Sequence, residues 1–222
     1  SGVVSVSAAA DVAELPHGEQ RELVAKGEKE ILAAAKEIRE QRKLHSLSVL
    51  GASESNEWYT PAEYVEAARE LMGGVDLDPA SCAQANEAVR ASRFYAIDND
   101  GLAQPWPGRV WLNPPYGRDD NNESNQGLWS RRLADQFDAG TTTAAVLLVN
   151  AVTDRLWFAP LWDRAICFVS KRIEFYAPDG KKPQPTHGNV LVYFGGDVKR
   201  FVSIFSRFGR CVLPRGAWSE VA

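Results

Sequence analysis

The run of residues 142–149 restricts the fold of this chain more than any other stretch. It contains only threonine, alanine, leucine and valine, with no charged side chain. A strand that is apolar along its whole length is typical of a parallel sheet that is covered on both faces. Because parallel neighbours need crossover connections, the run predicts a chain in which strands alternate with helices.

The rest of the second half and the middle of the chain fit that alternation. Helices are predicted at residues 61–71, 83–92 and 128–137, with a short helix or turn at 154–161. Strands are predicted at residues 75–78, 93–97, 110–112, 142–149, 165–169, 190–194 and 201–205. Thr60 is the expected N-cap of the first helix, with Pro61 as its first residue. We therefore expect an α/β fold with a doubly wound, mostly parallel sheet and a C-terminal antiparallel hairpin.

Residues 1–55 are predicted to form a helical extension and a linker outside that fold, which then occupies residues 56–222. Residues 19–45 contain no proline and are rich in alanine, glutamate, lysine and arginine, which predicts one continuous helix. Its apolar stripe is narrow and consists of Ile31, Ala34, Ala35 and Ile38. Such a stripe indicates packing against a partner helix, against the domain surface or against an upstream domain, so self-association stays open.

Composition and charge exclude several classes of function. No apolar run reaches the length of a membrane span, and three scattered cysteines and three scattered histidines argue against a metal site and a histidine-based triad. Unpaired cysteines are typical of a cytoplasmic protein. The net charge of −4 divides unevenly, with −8 over residues 51–130 and +5 over residues 131–222. The first region suits a cationic ligand and the second suits phosphate, although chance clustering of surface charges gives the same pattern.

Residues 113–116, Asn-Pro-Pro-Tyr, carry the clearest functional signal. They follow a predicted buried strand, and open α/β sheets bind their ligands at the carboxyl ends of strands. Proline has no backbone N–H, so the turn offers mainly acceptors: the Asn113 side-chain oxygen and the carbonyls of Asn113 and Pro114. A stiff acceptor cluster beside the Tyr116 ring suits a planar ligand with an exocyclic amino group.

Carboxylates follow two other predicted strands. Asp78, with Pro79 and Ala80, ends the first strand of the fold, where a carboxylate suits a ligand with ammonium or sulfonium character. Asp98 and Asp100 follow the next strand, where an acid can bind ribose hydroxyls or an amino group. Each of these segments, taken alone, also fits an ordinary turn. Neither a G-x-G-x-x-G motif nor a phosphate-binding P-loop motif occurs in the chain.

Together these stretches resemble the phage-type, Dam-like DNA N6-adenine methyltransferases, a branch of the S-adenosyl-L-methionine-dependent amino-methyltransferases. The matching stretches are NEWYTP at 56–61, VDLDPAS at 75–81, DGL at 100–102 with Trp106, VWLNPPYG at 110–117 and DRLWF at 154–158. They follow the family's order, and the resemblance extends from residue 56 through the C-terminal strands. It implies a Rossmann-like methyltransferase sheet, S-adenosyl-L-methionine as cofactor and DNA as substrate.

The resemblance also implies residue roles. Asn113 and the Pro114 carbonyl accept hydrogen bonds from adenine N6, and Tyr116 stacks on a base flipped out of the duplex, with Pro115 completing the catalytic turn. The residues implied for cofactor binding are Tyr59, Thr60, Pro61, Asp78, Pro79, Ala80, Asp98 and Asp100, without a choice between the last two. Only 35 residues separate Asp78 from Asn113, which implies a core with fewer strand–helix units than larger relatives have.

DNA is expected to contact the C-terminal half of the chain. Lys171, Arg172, Lys181 and Lys182 alternate with aromatic residues, which matches phosphate positioning, although a solvated hairpin gives the same pattern. The loop at 117–127 is predicted to be mobile and to close over the target base. Three alternatives stay open: methylation of cytosine N4, methylation of RNA or of a protein amide nitrogen, and a nucleic-acid-binding remnant without turnover. No membrane partner is expected.

Overall fold

The computed structural model describes residues 12, 17–36, 38, 59–119, 121–176 and 187–214. Two compact units divide the chain, residues 1–55 and residues 56–222. That the first unit acts as an extension of a catalytic domain stays a prediction. No helix in the described part of the chain is both long enough and apolar enough to cross a membrane.

The first unit contains a broken helix. Helix α1 spans His17–Lys26, and a further helical segment covers residues 28–36. The prediction of one continuous helix over 19–45 is wrong, because Gly27 has a φ of 96°, a left-handed conformation that glycine adopts at little cost. Of the predicted stripe, Ala35 is buried beside Val12, with Ile31 and Ala34 packed against them. Residues 39–45 lie outside the described residues.

The second unit alternates strands with helices. Its α-helices are α2 (Ala62–Met72), α3 (Ala83–Val89), α4 (Asn125–Asp138) and α5 (Val198–Phe205), and its 3₁₀-helices span Ile97–Asn99 and Leu156–Asp163. Its strands are β1 (Leu77–Asp78), β2 (Arg93–Phe94), β3 (Gly108–Leu112), β4 (Thr142–Asn150), β5 (Ala165–Val169), β6 (Asn189–Phe194) and β7 (Gly209–Val212). The α/β class is confirmed, and β1 and β2 are shorter than the sequence predicts.

The seven strands form one mixed sheet in the order β2-β1-β3-β4-β6-β5-β7. The pairs from β2 to β4 are parallel, whereas the pairs β4–β6, β6–β5 and β5–β7 are antiparallel. The prediction of a mostly parallel sheet therefore holds for the first half, and the antiparallel part is larger than one hairpin. The apolar run of β4 indicated burial correctly, but β4 has one parallel and one antiparallel neighbour.

Both faces of the sheet are covered. Along β4, Val146 and Leu148 belong to a core cluster shared with α2 and α5, while Leu147 and Val149 belong to a second cluster shared with α4. All four side chains are fully buried. Burial on both faces explains why this strand lacks the polar alternation of a half-exposed strand.

The strand order reverses direction between β1 and β3. From β1 the chain passes through α3 to β2 on one side, and it then returns to β3 on the other side of β1. Such a reversal opens a crevice at the carboxyl ends of the two strands. Only α3, β2 and the 3₁₀-helix Ile97–Asn99 intervene between β1 and β3, in agreement with the reduced core that the 35-residue spacing implies. The edge of the sheet at which β1, β3, β4 and β5 end is called the carboxyl edge below, and the opposite edge the amino edge.

A salt bridge fastens β1 to β3 at the amino edge. The Arg109 side chain donates from Nε to Asp76 Oδ2 at 2.8 Å and from Nη2 to Asp76 Oδ1 at 2.6 Å. Arg109 Nη1 also donates to the carbonyl of Gly73 at 2.7 Å. Hydrogen bonding to the Arg109 guanidinium lowers the pKa of Asp76 below its usual range. Arg109 and Asp76 therefore form a bidentate arginine–carboxylate pair at this end of the two strands.

The strand predicted at 201–205 is wrong, because these residues belong to α5. Asp197 caps that helix by accepting a hydrogen bond from the backbone N–H of Arg200 at 3.0 Å. Phe201 and Phe205 are fully buried and lie four residues apart, which is the spacing of one helix face. The last strand of the sheet is β7, and no strand was predicted at its position.

The connection between β5 and β6 begins and ends at the carboxyl edge. β5 ends at Val169 and β6 begins at Asn189, and the two strands are antiparallel neighbours. Residues 170–188 therefore leave and rejoin the sheet at the edge where Asn113 follows β3. The described start of this connection, residues 170–176, contains Phe175, which belongs to the core cluster of α2 and α5.

Candidate active site

Two predicted site residues end neighbouring parallel strands. Leu77 of β1 is in register with Val110 of β3, Asp78 is the last residue of β1, and Asn113 follows the last residue of β3. Paired strands lie about 4.8 Å apart. Asp78 and Asn113 therefore both lie at the carboxyl ends of paired strands, at the crevice where the strand order reverses.

Asp78 is a buried carboxyl group, with only 3% of its surface exposed. The backbone N–H of Ala80 donates to its Oδ1 at 3.2 Å, and the Ser81 side chain lies close enough to oppose a rise in its pKa. Burial nevertheless raises the pKa of Asp78 to about 7. Within the described residues no cationic side chain pairs with it, so its anionic form gains from a positively charged ligand.

The segment that carries Asp98 and Asp100 packs against the turn after β1. Gly101 lies so close to this turn that a Cβ on it would be 2.1 Å from the Pro79 carbonyl oxygen. The buried Trp106 ring donates from Nε1 to the Gly101 carbonyl at 2.7 Å and holds the approach in place. Both aspartates are exposed, and Asp100 directly precedes Gly101, whereas Asp98 lies within the 3₁₀-helix.

Residues 59–61 reach the same turn from the start of α2. Tyr59 Oη donates to Gln84 Oε1 at 3.2 Å and lies 3.5 Å from Cys82 Sγ, which caps α3 just beyond the turn. Thr60 is buried. It is not the N-cap of α2, since Pro61 occupies that position with a ψ of 137° and no side-chain hydrogen bond. The predicted cap is wrong by one residue.

Tyr116 of the Asn-Pro-Pro-Tyr turn packs into the core cluster of α2 and α5. Its ring meets the Phe175 ring edge-on at a centroid distance of 6.0 Å, and burial raises the pKa of its hydroxyl above the usual range. The next residue, Tyr176, pairs with Tyr59 through two backbone hydrogen bonds of 2.8 and 3.0 Å. Asn125 Nδ2 donates to the Tyr116 carbonyl at 3.2 Å. Segments from three parts of the chain thus meet around this tyrosine.

An amide cluster beside Tyr116 was not predicted. Asn189 Nδ2 donates to Asn150 Oδ1 at 3.2 Å, and the Asn150 backbone N–H donates to Gln126 Oε1 at 3.3 Å. Asn189 lies close enough to the Tyr116 hydroxyl to lower its pKa slightly, although the geometry is not that of a hydrogen bond. Gln126 Nε2, Asn189 Oδ1 and Tyr116 Oη are buried without a hydrogen-bond partner among the described residues. Asn150 and Asn189 sit at the ends of apolar runs, a signal that could have found them.

The loop predicted at 117–127 is shorter than expected. Helix α4 begins within it, capped by Ser124, whose Oγ accepts from the Gly127 backbone N–H at 3.4 Å. Gly127 packs against Trp157, where a Cβ would be 2.9 Å from the indole ring. Arg118 also pairs with Ser124 in an isolated β-bridge. That the remaining residues close over a base stays a prediction.

Of the residues predicted to contact DNA, Lys171 and Arg172 follow β5 at the carboxyl edge and are exposed. Lys171 lines a groove of about 520 Å³ that does not include residues 113–116. Lys181 and Lys182 lie outside the described residues. In the part of the chain that the structure describes, no cluster of histidine, cysteine, aspartate or glutamate side chains could hold a metal ion.

Comparison with protein families adds one finding to this geometry. The family model described as DNA N-6-adenine-methyltransferase (Dam) matches residues 48–207, more than two thirds of the chain. The match contains every candidate site residue named above. No curated protein and no solved structure matches the chain.

Proposed function

Because the chain belongs to the DNA N-6-adenine-methyltransferase (Dam) family, whose members methylate adenine N6 in DNA, we propose that Asp78 and Asn113 mark its cofactor and substrate sites. The protein is thus an adenine-specific DNA methyltransferase. The observation that carries the assignment of residues is the position of these two residues at the carboxyl ends of the paired strands β1 and β3. Their strands flank the reversal of strand order, where open α/β sheets bind ligands.

S-adenosyl-L-methionine is the methyl donor on which this family depends, and it supplies an electrophilic methyl carbon bonded to a positively charged sulfur. The residues at β1 fit such a ligand, because the Asp78 carboxyl group is buried with no cationic partner among the described residues. The residues proposed to hold it are Tyr59, Thr60, Pro61, Asp78, Pro79 and Ala80, with Asp98 and Asp100. Of the last two we favour Asp100, because Gly101 beside it packs directly on Pro79.

The turn after β3 is proposed to hold the target adenine. Asn113 Oδ1 and the Pro114 carbonyl accept the two hydrogens of the N6 amino group, Pro115 stiffens the turn, and Tyr116 contacts the base. In free adenine the N6 lone pair is delocalised into the ring, which makes the nitrogen a poor nucleophile. Two fixed acceptors hold the amino hydrogens out of the ring plane. This geometry reduces the delocalisation of the lone pair and makes the nitrogen a better nucleophile. The main contribution of the protein is then alignment of the reacting atoms.

No catalytic base is required before the nitrogen attacks. The N6 nitrogen becomes acidic once it is alkylated, so a proton can leave to solvent after the transfer. The chain accordingly needs acceptors at the amino group rather than a histidine. Tyr116 is an unsuitable base, since burial raises the pKa of its hydroxyl and keeps it protonated.

The fold and the DNA contacts complete the proposal. The mixed sheet corresponds to a Rossmann-like methyltransferase sheet whose C-terminal half is antiparallel. Lys171 and Arg172, which are exposed at the carboxyl edge, are proposed to contact DNA phosphates, together with Lys181 and Lys182. The amide cluster beside Tyr116 favours a base-binding role for this corner, because buried polar atoms without a partner are rare in folded proteins.

The test is to incubate the purified protein with DNA and S-adenosyl-L-methionine, digest the DNA and identify the nucleosides by mass spectrometry. We expect N6-methyladenine as the product. If the only product is N4-methylcytosine, or if RNA is methylated and DNA is not, the proposal that residues 113–116 hold an adenine of DNA is contradicted. Calorimetry with S-adenosyl-L-methionine separates an inactive remnant, which does not bind the cofactor, from an enzyme that was given the wrong DNA.

A further inference from the structure

A groove of about 520 Å³ lies at the carboxyl edge, beside the end of β5. Three segments line it: the start of α2, the residues that follow β5 and the turn between α5 and β7. The lining residues are Glu63, Tyr64, Ser170, Lys171 and residues 206–210. The groove is a place where segments distant in sequence converge on the edge that carries the candidate active site.

Positive charge dominates this groove. Lys171, Arg207 and Arg210 line it, against a single carboxylate, Glu63. All three cations are exposed, and Lys171 and Arg210 form no ion pair within the described residues. A cleft with three cations and one anion attracts anions, and exposed lysine and arginine side chains are the usual ligands of nucleic-acid phosphates.

Arg207 is held in place more firmly than the other two cations. Its guanidinium carbon lies 4.9 Å from the centroid of the Phe208 ring, in a cation–π arrangement. Its ion pair with Glu70 is long, at 3.9 Å, and both side chains are about half exposed. A pair of this kind contributes little stability and leaves the guanidinium able to contact a phosphate.

A short and well-anchored segment joins the groove to the candidate active site. It runs from Lys171, in the groove, to Phe175, whose ring contacts Tyr116. Ile173 and Phe175 are buried in the core, while Arg172 between Lys171 and Ile173 is exposed. Four residues of extended chain span at most about 14 Å. The groove therefore lies close to the residues proposed to hold the target base.

We propose that the groove binds the phosphodiester backbone of the DNA substrate beside the target adenine, through Lys171, Arg207 and Arg210. The proposal rests on the assignment of residues 113–116 to the target base. It adds two arginines from the C-terminal part of the chain to the DNA-binding surface. The contacts are to phosphate, so they position the duplex and carry no base preference of their own.

The test compares the full-length enzyme with the variant Lys171→Ala/Arg207→Ala/Arg210→Ala. We expect the KM for DNA to rise at least tenfold near physiological salt, while kcat at saturating DNA and the Kd for S-adenosyl-L-methionine stay unchanged. The slope of log K for DNA binding against log salt should become shallower by two to three, since each phosphate contact contributes about 0.9. Fluorescence anisotropy with labelled duplex DNA measures the slope.

Lys171→Ala and Lys199→Ala form a matched pair that keeps the test valid if the triple variant fails to fold. Lys199 is also exposed, but it lies near the start of α5, which follows the end of β6 at the amino edge. Only Lys171→Ala should weaken DNA binding, by several-fold. If both single variants weaken DNA binding equally, or if the triple variant has an unchanged KM and salt slope, the proposal that the groove binds DNA is overturned. Wild-type turnover in Asn113→Ala would instead overturn the assignment of residues 113–116.

Discussion

The two ends of the β1–β3 strand pair each carry an aspartate, and the two aspartates have opposite surroundings and opposite pKa shifts. At the amino edge, Asp76 is paired with Arg109 in a bidentate salt bridge, and its pKa is lowered. Two residues further along, Asp78 is buried without a cationic partner among the described residues, and its pKa is raised to about 7. Surroundings, rather than residue type, decide which carboxylate stabilises the sheet and which is suited to bind a ligand.

Hydrogen bonding differs between the two ends in the same sense. At the amino edge the Arg109 side chain donates to Asp76 and to backbone carbonyls, so these polar groups are hydrogen-bonded to one another. Near the carboxyl edge, polar atoms of Gln126, Asn189 and Tyr116 are buried without a partner among the described residues. A salt bridge can thus stabilise one edge of a sheet, while polar side chains at the other edge stay able to hydrogen-bond to a substrate.

The largest expected effect is on turnover at the carboxyl edge. Asn113→Ala removes one of the two proposed acceptors of the N6 amino group. We expect kcat to fall about 10³-fold, the upper range for loss of one preorganised hydrogen-bonding group. The Kd for S-adenosyl-L-methionine, measured by calorimetry, should stay within about twofold of wild type. Ser203→Ala, a change of an exposed serine on α5, is the control and should retain full turnover.

The second prediction concerns the pH dependence that Asp78 imposes on folding. An aspartate in the unfolded chain titrates near pH 4, whereas Asp78 in the folded protein titrates at about 7. Between pH 4 and pH 7 the folded state therefore holds a proton that the unfolded state has released. The stability that protonated Asp78 allows is fully present below pH 4 and is lost as pH rises through 7. Asp78→Asn should raise the unfolding free energy by about 2–4 kcal/mol at pH 8, relative to wild type, and by much less at pH 4.

The same substitution should weaken S-adenosyl-L-methionine binding by about tenfold at pH 8, because the proposed partner of the positive ligand is then neutral. Urea unfolding at pH 4 and pH 8 measures the first effect, and calorimetry measures the second. Equal stability changes at the two pH values would show that Asp78 is not held protonated. An unchanged Kd would remove Asp78 from the cofactor site.

The smallest effect is expected at the amino edge. Arg109→Met removes the cation of the fastening salt bridge, and about a third of each partner's side chain is exposed. We expect a loss of about 1–2 kcal/mol in unfolding free energy, with the urea midpoint lowered and the m-value unchanged. Arg155→Met, at a longer and more exposed pair with Asp154, should cost less than about 0.5 kcal/mol. A drop in kcat of folded Arg109→Met would weaken the division between the two edges.

Local sequence patterns predicted those parts of the fold that depend on local interactions. The strand at Ala165–Val169 was predicted with its observed bounds, and the apolar run of β4 was recognised as buried. The positions of Asp78 at the end of β1 and of Asn113 after β3 were also predicted from local patterns. The burial of Asp78 was not predicted, because it depends on packing between segments that are distant in sequence.

Pairings between distant residues could not be predicted in the same way. The residues of Phe201–Phe205 fit a strand as well as a helix, and the helix depends on the cap at Asp197 and on packing against the sheet. Arg109 and Asp76 are 33 residues apart, and their contact requires that β1 and β3 be neighbours. Lys171 and Arg210 meet only because β5 pairs with β7. Strand order, which the sequence leaves open, decides each of these contacts.

The connection between β5 and β6 has a consequence for divergence within a protein family. Both of its ends join the sheet at the carboxyl edge, so its length beyond Tyr176 can change while every strand keeps its register. Lengthening this stretch beyond Tyr176 is therefore a route by which an enzyme of this fold gains new side chains at the carboxyl edge, while the buried residues Ile173 and Phe175 and the turn after β3 stay unchanged.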